Sequence, residues 1–123
     1  MNAVQAAQKI LIDAQLEIDH VYINIIPKNV QDDSEFTDVL VTDVVESYGN
    51  YGSDKSTTLD ETIALNIFYG LNTDTNAELL EDAIVSIFEQ RGWSCIYSTG
   101  YTIDPDTNQL TKIMHFKRTK ERG

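Results

Sequence analysis

The sequence predicts a single α+β domain, residues 1–123, with an antiparallel or mixed sheet of four to five strands and two helices packed on one face. Its 123 residues suit one domain with one core. Two segments have apolar residues at helical spacing, and five others have the composition of strands. Loops rather than helices join most of these strands, so the element order α-β-β-β-α-β-β favours antiparallel pairing.

Two amphipathic helices are predicted. The first covers residues 3–16 with Asn2 as its N-cap, and its apolar positions are Val4, Ala7, Ile10, Leu11 and Ala14. The second is predicted to begin near Thr73 or Asp74 and to end before Gly92. Its apolar stripe comprises Leu79, Leu80, Ala83, Ile84, Ile87 and Phe88, with the acidic residues Glu78, Glu81, Asp82 and Glu89 expected to face water.

The predicted strands cover residues 20–26, 38–45, 62–69, 93–103 and 109–118. The third has the clearest alternation, with Ile63, Leu65 and Ile67 on one side. A turn at 104–108, containing Pro105 between aspartates, makes the last two strands a hairpin. The sheet face away from the helices is expected to be more polar, because it carries Asn66, Ser94, Ser98, His115 and similar residues.

Residues 46–58 are predicted to form a long loop, since they contain two glycines and several small polar residues. Tyr48 and Tyr51 lie inside it, which is unusual for a solvated connection. We therefore expect this loop to order against a neighbouring molecule, with the two tyrosines supplying contact area.

The charge is unevenly distributed along the chain. The net charge is −11, and 19 of the 20 acidic residues precede residue 112, whereas five of the nine basic residues follow residue 111. This pattern predicts an acidic body with a basic tail. Either the tail is a solvated, frayed terminus, or it docks on an acidic surface of another copy. In the second case the interface residues are Lys117, Arg118, Lys120 and Arg122.

The composition also argues against some classes of protein. A strongly acidic chain is poorly suited to nonspecific nucleic-acid binding, which requires Lys and Arg to neutralise phosphates. The apolar runs are too short for a membrane span, and residues 1–8 do not have the pattern of a signal peptide. We therefore expect a protein that stays in the cytosol or in a particle assembled there, with Cys95 a small buried residue.

One acidic pattern resembles the start of a calcium loop but does not continue as one. Asp104, Asp106 and Asn108 have the right spacing, but Gln109 stands where glycine is required and His115 where glutamate is required. A hairpin turn is the better interpretation.

No other segment predicts a catalytic, cofactor or metal site. The acidic residues Asp32, Asp33 and Glu35 have no adjacent histidine, and His20 and His115 lack the spacing of metal ligands. The chain also has no nucleophile elbow and no phosphate-binding glycine loop. We expect no enzymatic activity.

Four segments together resemble a family of small proteins encoded among the late structural genes of long-tailed phages and prophages of Gram-positive bacteria. They are residues 22–27, which end in Ile-Ile-Pro, residues 48–55, residues 64–69 with Ile-Phe-Tyr, and residues 104–110 with Asp-Pro-Asp-Thr. The resemblance covers roughly residues 20–118.

This resemblance implies a virion structural protein, most simply a tail terminator that caps the tail tube as a six-fold ring. Its implied partners are other copies of itself, the major tail protein and the head connector, with assembly in the host cytoplasm. A head–tail adaptor or head-closure protein is the nearest alternative. An alternative of another class is an α+β module that binds a small molecule or acts as a regulatory dimer through its sheet.

Overall fold

Two helices and six strands make up the computed structural model, which describes residues 2–27, 34–52, 55–71 and 75–122, without the side chains of 50–52. The α+β class and the predicted element order are confirmed. The elements are α1 (Ala3–Asp13), β1 (His20–Ile23), β2 (Asp38–Gly52), β3 (Lys55–Phe68), α2 (Ala77–Gln90), β4 (Ser94–Ser98), β5 (Thr102–Ile103) and β6 (Leu110–Glu121). The strand predicted over 93–103 is divided into β4 and β5, which gives six strands rather than four to five.

The strands form one mixed sheet in the order β1-β2-β3-β6-β4, with β5 also pairing with β6. Only β1 and β2 are parallel among the described pairs, and β3 lies antiparallel to both of its neighbours. The first strand ends at Ile23 rather than Ile26, because Asn24 adopts a positive φ of 67° that leaves the extended conformation. The central position of β3 explains why its alternation is the clearest in the sequence.

Both helices are capped by asparagine side chains. Asn2 accepts a hydrogen bond from the Gln5 N–H, and the Gln5 side chain accepts one from the Asn2 N–H, which completes a capping box. Asn76 caps α2, so this helix begins at Ala77 rather than near residue 73. Gly92 follows α2 with a φ of +87°, which confirms its predicted role in ending the helix.

A single core lies between the helices and one face of the sheet. It combines α1 residues such as Leu11 and α2 residues such as Phe88 with alternate residues of the central strands. The fully buried strand residues are Val39, Val41, Ile63, Leu65, Ile67 and Phe116. The prediction that both helices pack on one face is therefore confirmed, and the opposite face of the sheet is called the outer face below.

The predicted loop over 46–58 is wrong. These residues continue β2 to Gly52 and start β3 at Lys55, with Tyr48 opposite Leu59 and Tyr51 opposite Ser56. The composition favours a loop locally, but pairing with a neighbouring strand satisfies the backbone and overrides that preference. Ser53 and Asp54, which connect the two strands, lie outside the described residues.

The C-terminal segment is also not a frayed tail. Strand β6 runs to Glu121, and residues 117–121 pair with residues 58–62 of β3. Residues 44–52 of β2, 55–61 of β3 and 117–122 therefore form a three-stranded extension of the sheet, which we call the arm. None of the described core residues lies in the arm. At about 3.3 Å per residue, the seven residues of β3 in the arm correspond to a length of roughly 23 Å.

Candidate functional site

A buried carboxylate organises the charges of the arm. The Glu61 side chain is about 4% exposed, and its Oε1 lies 3.0 Å from Arg118 Nε and 3.3 Å from Lys120 Nζ. The Arg118 guanidinium also lies over the Trp93 ring, 4.7 Å from its centroid. Because two cations share one buried carboxylate, this cluster fixes β6 on β3 and still carries net positive charge.

A second ionic contact lies on the outer face of the arm. Lys117 Nζ lies 3.4 Å from Asp60 Oδ2, and the Thr119 hydroxyl donates to the same carboxylate. The hydrogen bond from Thr119, followed by the charge of Lys117, holds the pKa of Asp60 below its ordinary value. Asp60 is therefore ionised at neutral pH and keeps the outer face of the arm polar.

Arg122 joins the end of the chain to the hairpin. Its Nη1 donates to the Ser56 carbonyl at 3.0 Å and to the Ser56 hydroxyl, and its guanidinium lies 5.0 Å from the Tyr48 ring centroid. Its main-chain N–H donates to the Thr57 carbonyl at 2.8 Å. The terminus is consequently held in place along its described length.

The sequence-predicted interface residues thus come together on the arm. Lys117, Arg118, Lys120 and Arg122 all have partners within their own chain, so the prediction of a free basic tail is wrong. The physical reason is that Asp60 and Glu61 lie on the adjacent strand and supply nearby counter-charges. Tyr51 occupies a strand position in the arm, but its side chain lies outside the described residues. Whether these residues contact another molecule stays a prediction.

The two outer strands of the arm have main-chain groups directed away from β3. In an antiparallel ladder, hydrogen-bonded and non-hydrogen-bonded pairs alternate. Because Arg122 donates to Thr57, Thr119 and Glu121 of β6 direct their N–H and C=O groups away from β3. The same alternation applies to the pairing of β2 with β3. It directs the main-chain N–H and C=O groups of Glu46 and Tyr48 away from β3, on the opposite edge of the arm.

No described strand pairs with either of these stretches. β1 reaches only Val41 of β2, and β4 reaches only Lys117 of β6. The arm is therefore a three-stranded sheet with two open edges, each able to accept a further strand.

A buried polar cluster between α2 and the sheet is missed by the sequence analysis. Glu81, predicted to face water, is 7% exposed and accepts hydrogen bonds from the hydroxyls of Tyr69 at 2.5 Å and Tyr101 at 2.8 Å. Lys112 Nζ lies 3.0 Å from its Oε1. The sequence contains a signal for this, because Glu81 lies three and seven residues before Ile84 and Phe88, which places it on the apolar face of the helix.

This cluster raises the pKa values of both tyrosines. Burial, followed by the hydrogen bond to Glu81, raises the pKa of Tyr69 far above its ordinary value. The same causes raise the pKa of Tyr101 to about 12. Lys112 also lies 4.7 Å from the centroid of the Tyr101 ring. At neutral pH the cluster therefore comprises one ion pair and two neutral hydroxyl donors, an arrangement that fastens α2 to β6.

The two histidines lie in strands, as predicted. His20 Nδ1 lies 2.8 Å from Asp38 Oδ1, and the His20 and Phe36 rings lie nearly perpendicular with 5.1 Å between their centroids. His115, on β6, lies 5.0 Å from the Tyr97 ring. The contact between His20 and the 5%-exposed Asp38 joins the parallel pair β1 and β2.

The calcium-like segment is a hairpin turn, as predicted. The Asp104 carboxylate accepts the Asp106 N–H at 2.8 Å, the Asp104 carbonyl accepts the Asn108 N–H, and Asn108 has a φ of 62°. Asp32 and Asp33 lie outside the described residues. Within the described ranges, no three histidine, cysteine, aspartate or glutamate side chains are grouped as metal ligands would be.

Several surface clefts among the described residues are large enough for a small molecule. One of about 430 Å³ lies between the end of α1 and the start of α2, beside Leu16, Leu79 and Ala83. Another of about 410 Å³ lies on the outer face between Ile113 and the turn at Asp104. A third of about 340 Å³ lies beside Asn24 and Phe68. Separately, no helix in the described part of the chain is both long and apolar enough to cross a membrane.

The comparison with curated proteins found no match to this chain. The comparison with protein families found a match over residues 2–121 to the family described as "Protein of unknown function (DUF806)". Because this match covers nearly the whole sequence, the chain belongs to that family.

Proposed function

We propose that this protein is a structural component of a long-tailed phage particle, most specifically a tail terminator that forms a ring on the end of the tail tube. The observation that carries the proposal is the arm, because its two open edges belong to different strands. A contact is heterologous when one surface of a subunit meets a different surface of the next subunit. Heterologous contacts generate rings when the rotation between neighbouring subunits closes. The sequence resemblance to phage tail components supplies the biological setting.

The charge distribution supports the same role. A tail ring surrounds DNA during its passage and must not retain it. A chain with net charge −11 repels the phosphate backbone. The basic residues of the arm do not reverse this argument, because Asp60 and Glu61 pair with three of them.

The proposed partners are further copies of the chain, with six in the ring, the major tail protein on one side and the head connector on the other. The protein would be assembled in the host cytoplasm and would remain in the virion. Its role would be mechanical and would require no catalytic group.

The first test is removal of the gene from the phage or prophage that encodes it, followed by electron microscopy of the particles. A terminator stops tube growth, so its loss should give headless tails of irregular length. Normal-length tails detached from heads would instead indicate an adaptor at the head side. Intact particles of normal length would contradict a role in either position.

A further inference from the structure

We propose that adjacent copies join edge to edge through their arms, with the β2 edge of one copy pairing in parallel with the β6 edge of the next. This inference rests on the proposed ring and deepens it by assigning its contact. The occupant of each edge is therefore a second copy of this chain, and the joined arms form one continuous sheet.

The main-chain geometry supplies the first step. Glu46 and Tyr48 on one edge, and Thr119 and Glu121 on the other, direct N–H and C=O groups outward. No described strand pairs with these groups in the single chain. Pairing the two edges would supply strand–strand hydrogen bonds to them over a short stretch.

The charges supply the second step. On the helix-side face of the arm, the β6 edge presents Arg118, Lys120 and Arg122, and the first two of these share the single buried carboxylate of Glu61. On the β2 edge, Glu46 is exposed and lies opposite Glu61, and no described residue forms an ion pair with it. Within one chain Arg118 and Lys120 are engaged with Glu61, and no described residue supplies Glu46 with a counter-charge of its own, whereas the basic edge of a second copy would supply one.

Strand direction and side-chain facing supply the third step. Both β2 and β6 are antiparallel to β3, so they run in the same direction. Rotation about a ring axis preserves that direction, so β6 of one copy meets β2 of the next in parallel. The two sheet faces also continue, which places Glu46 of one copy on the same face as Arg118 and Lys120 of its neighbour.

The same charges disfavour a two-fold dimer through either edge. A β6–β6 contact would oppose Lys120 and Arg122 to their own copies, and a β2–β2 contact would bring two Glu46 carboxylates together. Like charges placed face to face weaken association. The β6 edge is thus complementary to the β2 edge and not to itself, which selects a ring over a dimer.

The test uses two charge-reversal variants of the full chain, Glu46→Lys and Lys120→Glu, with assembly measured by light scattering and native mass spectrometry. Glu46→Lys should fold normally, because Glu46 is exposed and no described residue forms an ion pair with it. It should nevertheless raise the concentration needed for half-assembly roughly tenfold or more. Glu89→Lys is the matched control, with the same charge change at an exposed α2 position away from the arm.

Mixing the two variants provides the decisive measurement. Each variant should assemble poorly alone. In the mixture, the lysine introduced at position 46 of one variant can pair with the glutamate introduced at position 120 of the other, so alternating assemblies should be recovered. Melting temperatures of both variants check that folding is retained. If Glu46→Lys leaves the concentration needed for half-assembly unchanged, and if mixing does not improve assembly, the edge contact is contradicted. The proposed tail role would remain intact in that case.

The proposed tail role and the proposed edge contact can be contradicted independently of each other. Assembly through the edges together with normal tails in the gene-removal experiment would contradict the tail role alone. A wild-type protein that stays monomeric up to millimolar concentration would contradict the edge contact.

Discussion

Removing the Glu81 carboxylate should destabilise the protein more than removing the cation paired with it. In Glu81→Leu, the Lys112 ammonium loses its counter-charge at a site where its side chain is only 15% exposed. The hydroxyl of Tyr69, a 5%-exposed residue, loses the acceptor that lies 2.5 Å away. Breaking a buried pair from one side costs about 3–5 kcal/mol, so we expect a loss within that range.

Lys112→Met leaves a different situation. Glu81 still accepts hydrogen bonds from Tyr69 and Tyr101, and the methionine fills the space of the lysine stem. We therefore expect a smaller loss of about 1–3 kcal/mol. The double variant removes both charges together, and its cost should fall below the sum of the two single costs by about 1–3 kcal/mol.

The assay is equilibrium unfolding in urea for the wild type, the two single variants and the double variant. The free energy of unfolding is extrapolated to water, and an unchanged denaturant slope shows that the compared states are the same. A cost of Lys112→Met equal to or above that of Glu81→Leu would refute the argument that the tyrosine hydroxyls sustain the carboxylate. Strict additivity would show that the ion pair contributes nothing.

Three further predictions concern the tyrosines, a close backbone approach and the C-terminal strand. The contribution of Tyr101 to the free energy of unfolding should be fully present below pH 10 and should decline between pH 10 and about 12. The reason is that unfolded tyrosine ionises near pH 10, whereas folded Tyr101 keeps its proton to about pH 12. Urea unfolding of Tyr101→Phe across this range should show a shallower decline, and an unchanged slope would contradict the coupling. Gly70→Ala should lower the melting temperature by several degrees, since a Cβ there would overlap the Glu35 carbonyl oxygen. Gly100→Ala, with open space around it, should leave the melting temperature nearly unchanged, and equal effects of the two would refute the steric reason. Ending the chain after Phe116 should reduce the cooperativity and midpoint of thermal unfolding, because it removes a paired strand end, and an unaltered transition would show that this pairing contributes nothing.

The sequence predicts those parts of the fold that depend on local patterns. Ile63, Leu65 and Ile67 alternate regularly, and they form the buried face of the central strand. Asn2 caps α1 as expected, because a side-chain acceptor before an amphipathic run acts within one helical turn.

The parts that depend on distant partners are not predictable in the same way. Residues 46–58 have the composition of a loop, and their pairing with β3 depends on how the rest of the sheet is arranged. A bulge at Val44 also shifts the alternation of β2 between Asp43 and Val45, so no single period spans that strand. The segment from Lys117 to Arg122 has the pattern of an unpaired basic tail because its partners, Asp60 and Glu61, lie some sixty positions earlier.

The number of strands in the arm has a consequence for the opening that a ring would enclose. Three strands from each of six copies would close an 18-stranded barrel, and strands about 4.7 Å apart with a tilt of about 40° give it a backbone diameter of about 35 Å. The helices would lie on the outside of this barrel, because the bore has no room for them. The outer face of the sheet, which is the face without helices, would therefore line the bore. That lining would include Ser47, Asp60 and Thr119, and Lys117 would neutralise Asp60 within it. Glu121 lies on the same face as Thr119, so the bore would be wet and would carry net negative charge. A bore of this diameter and charge is wide enough for a DNA duplex to slide through without being gripped.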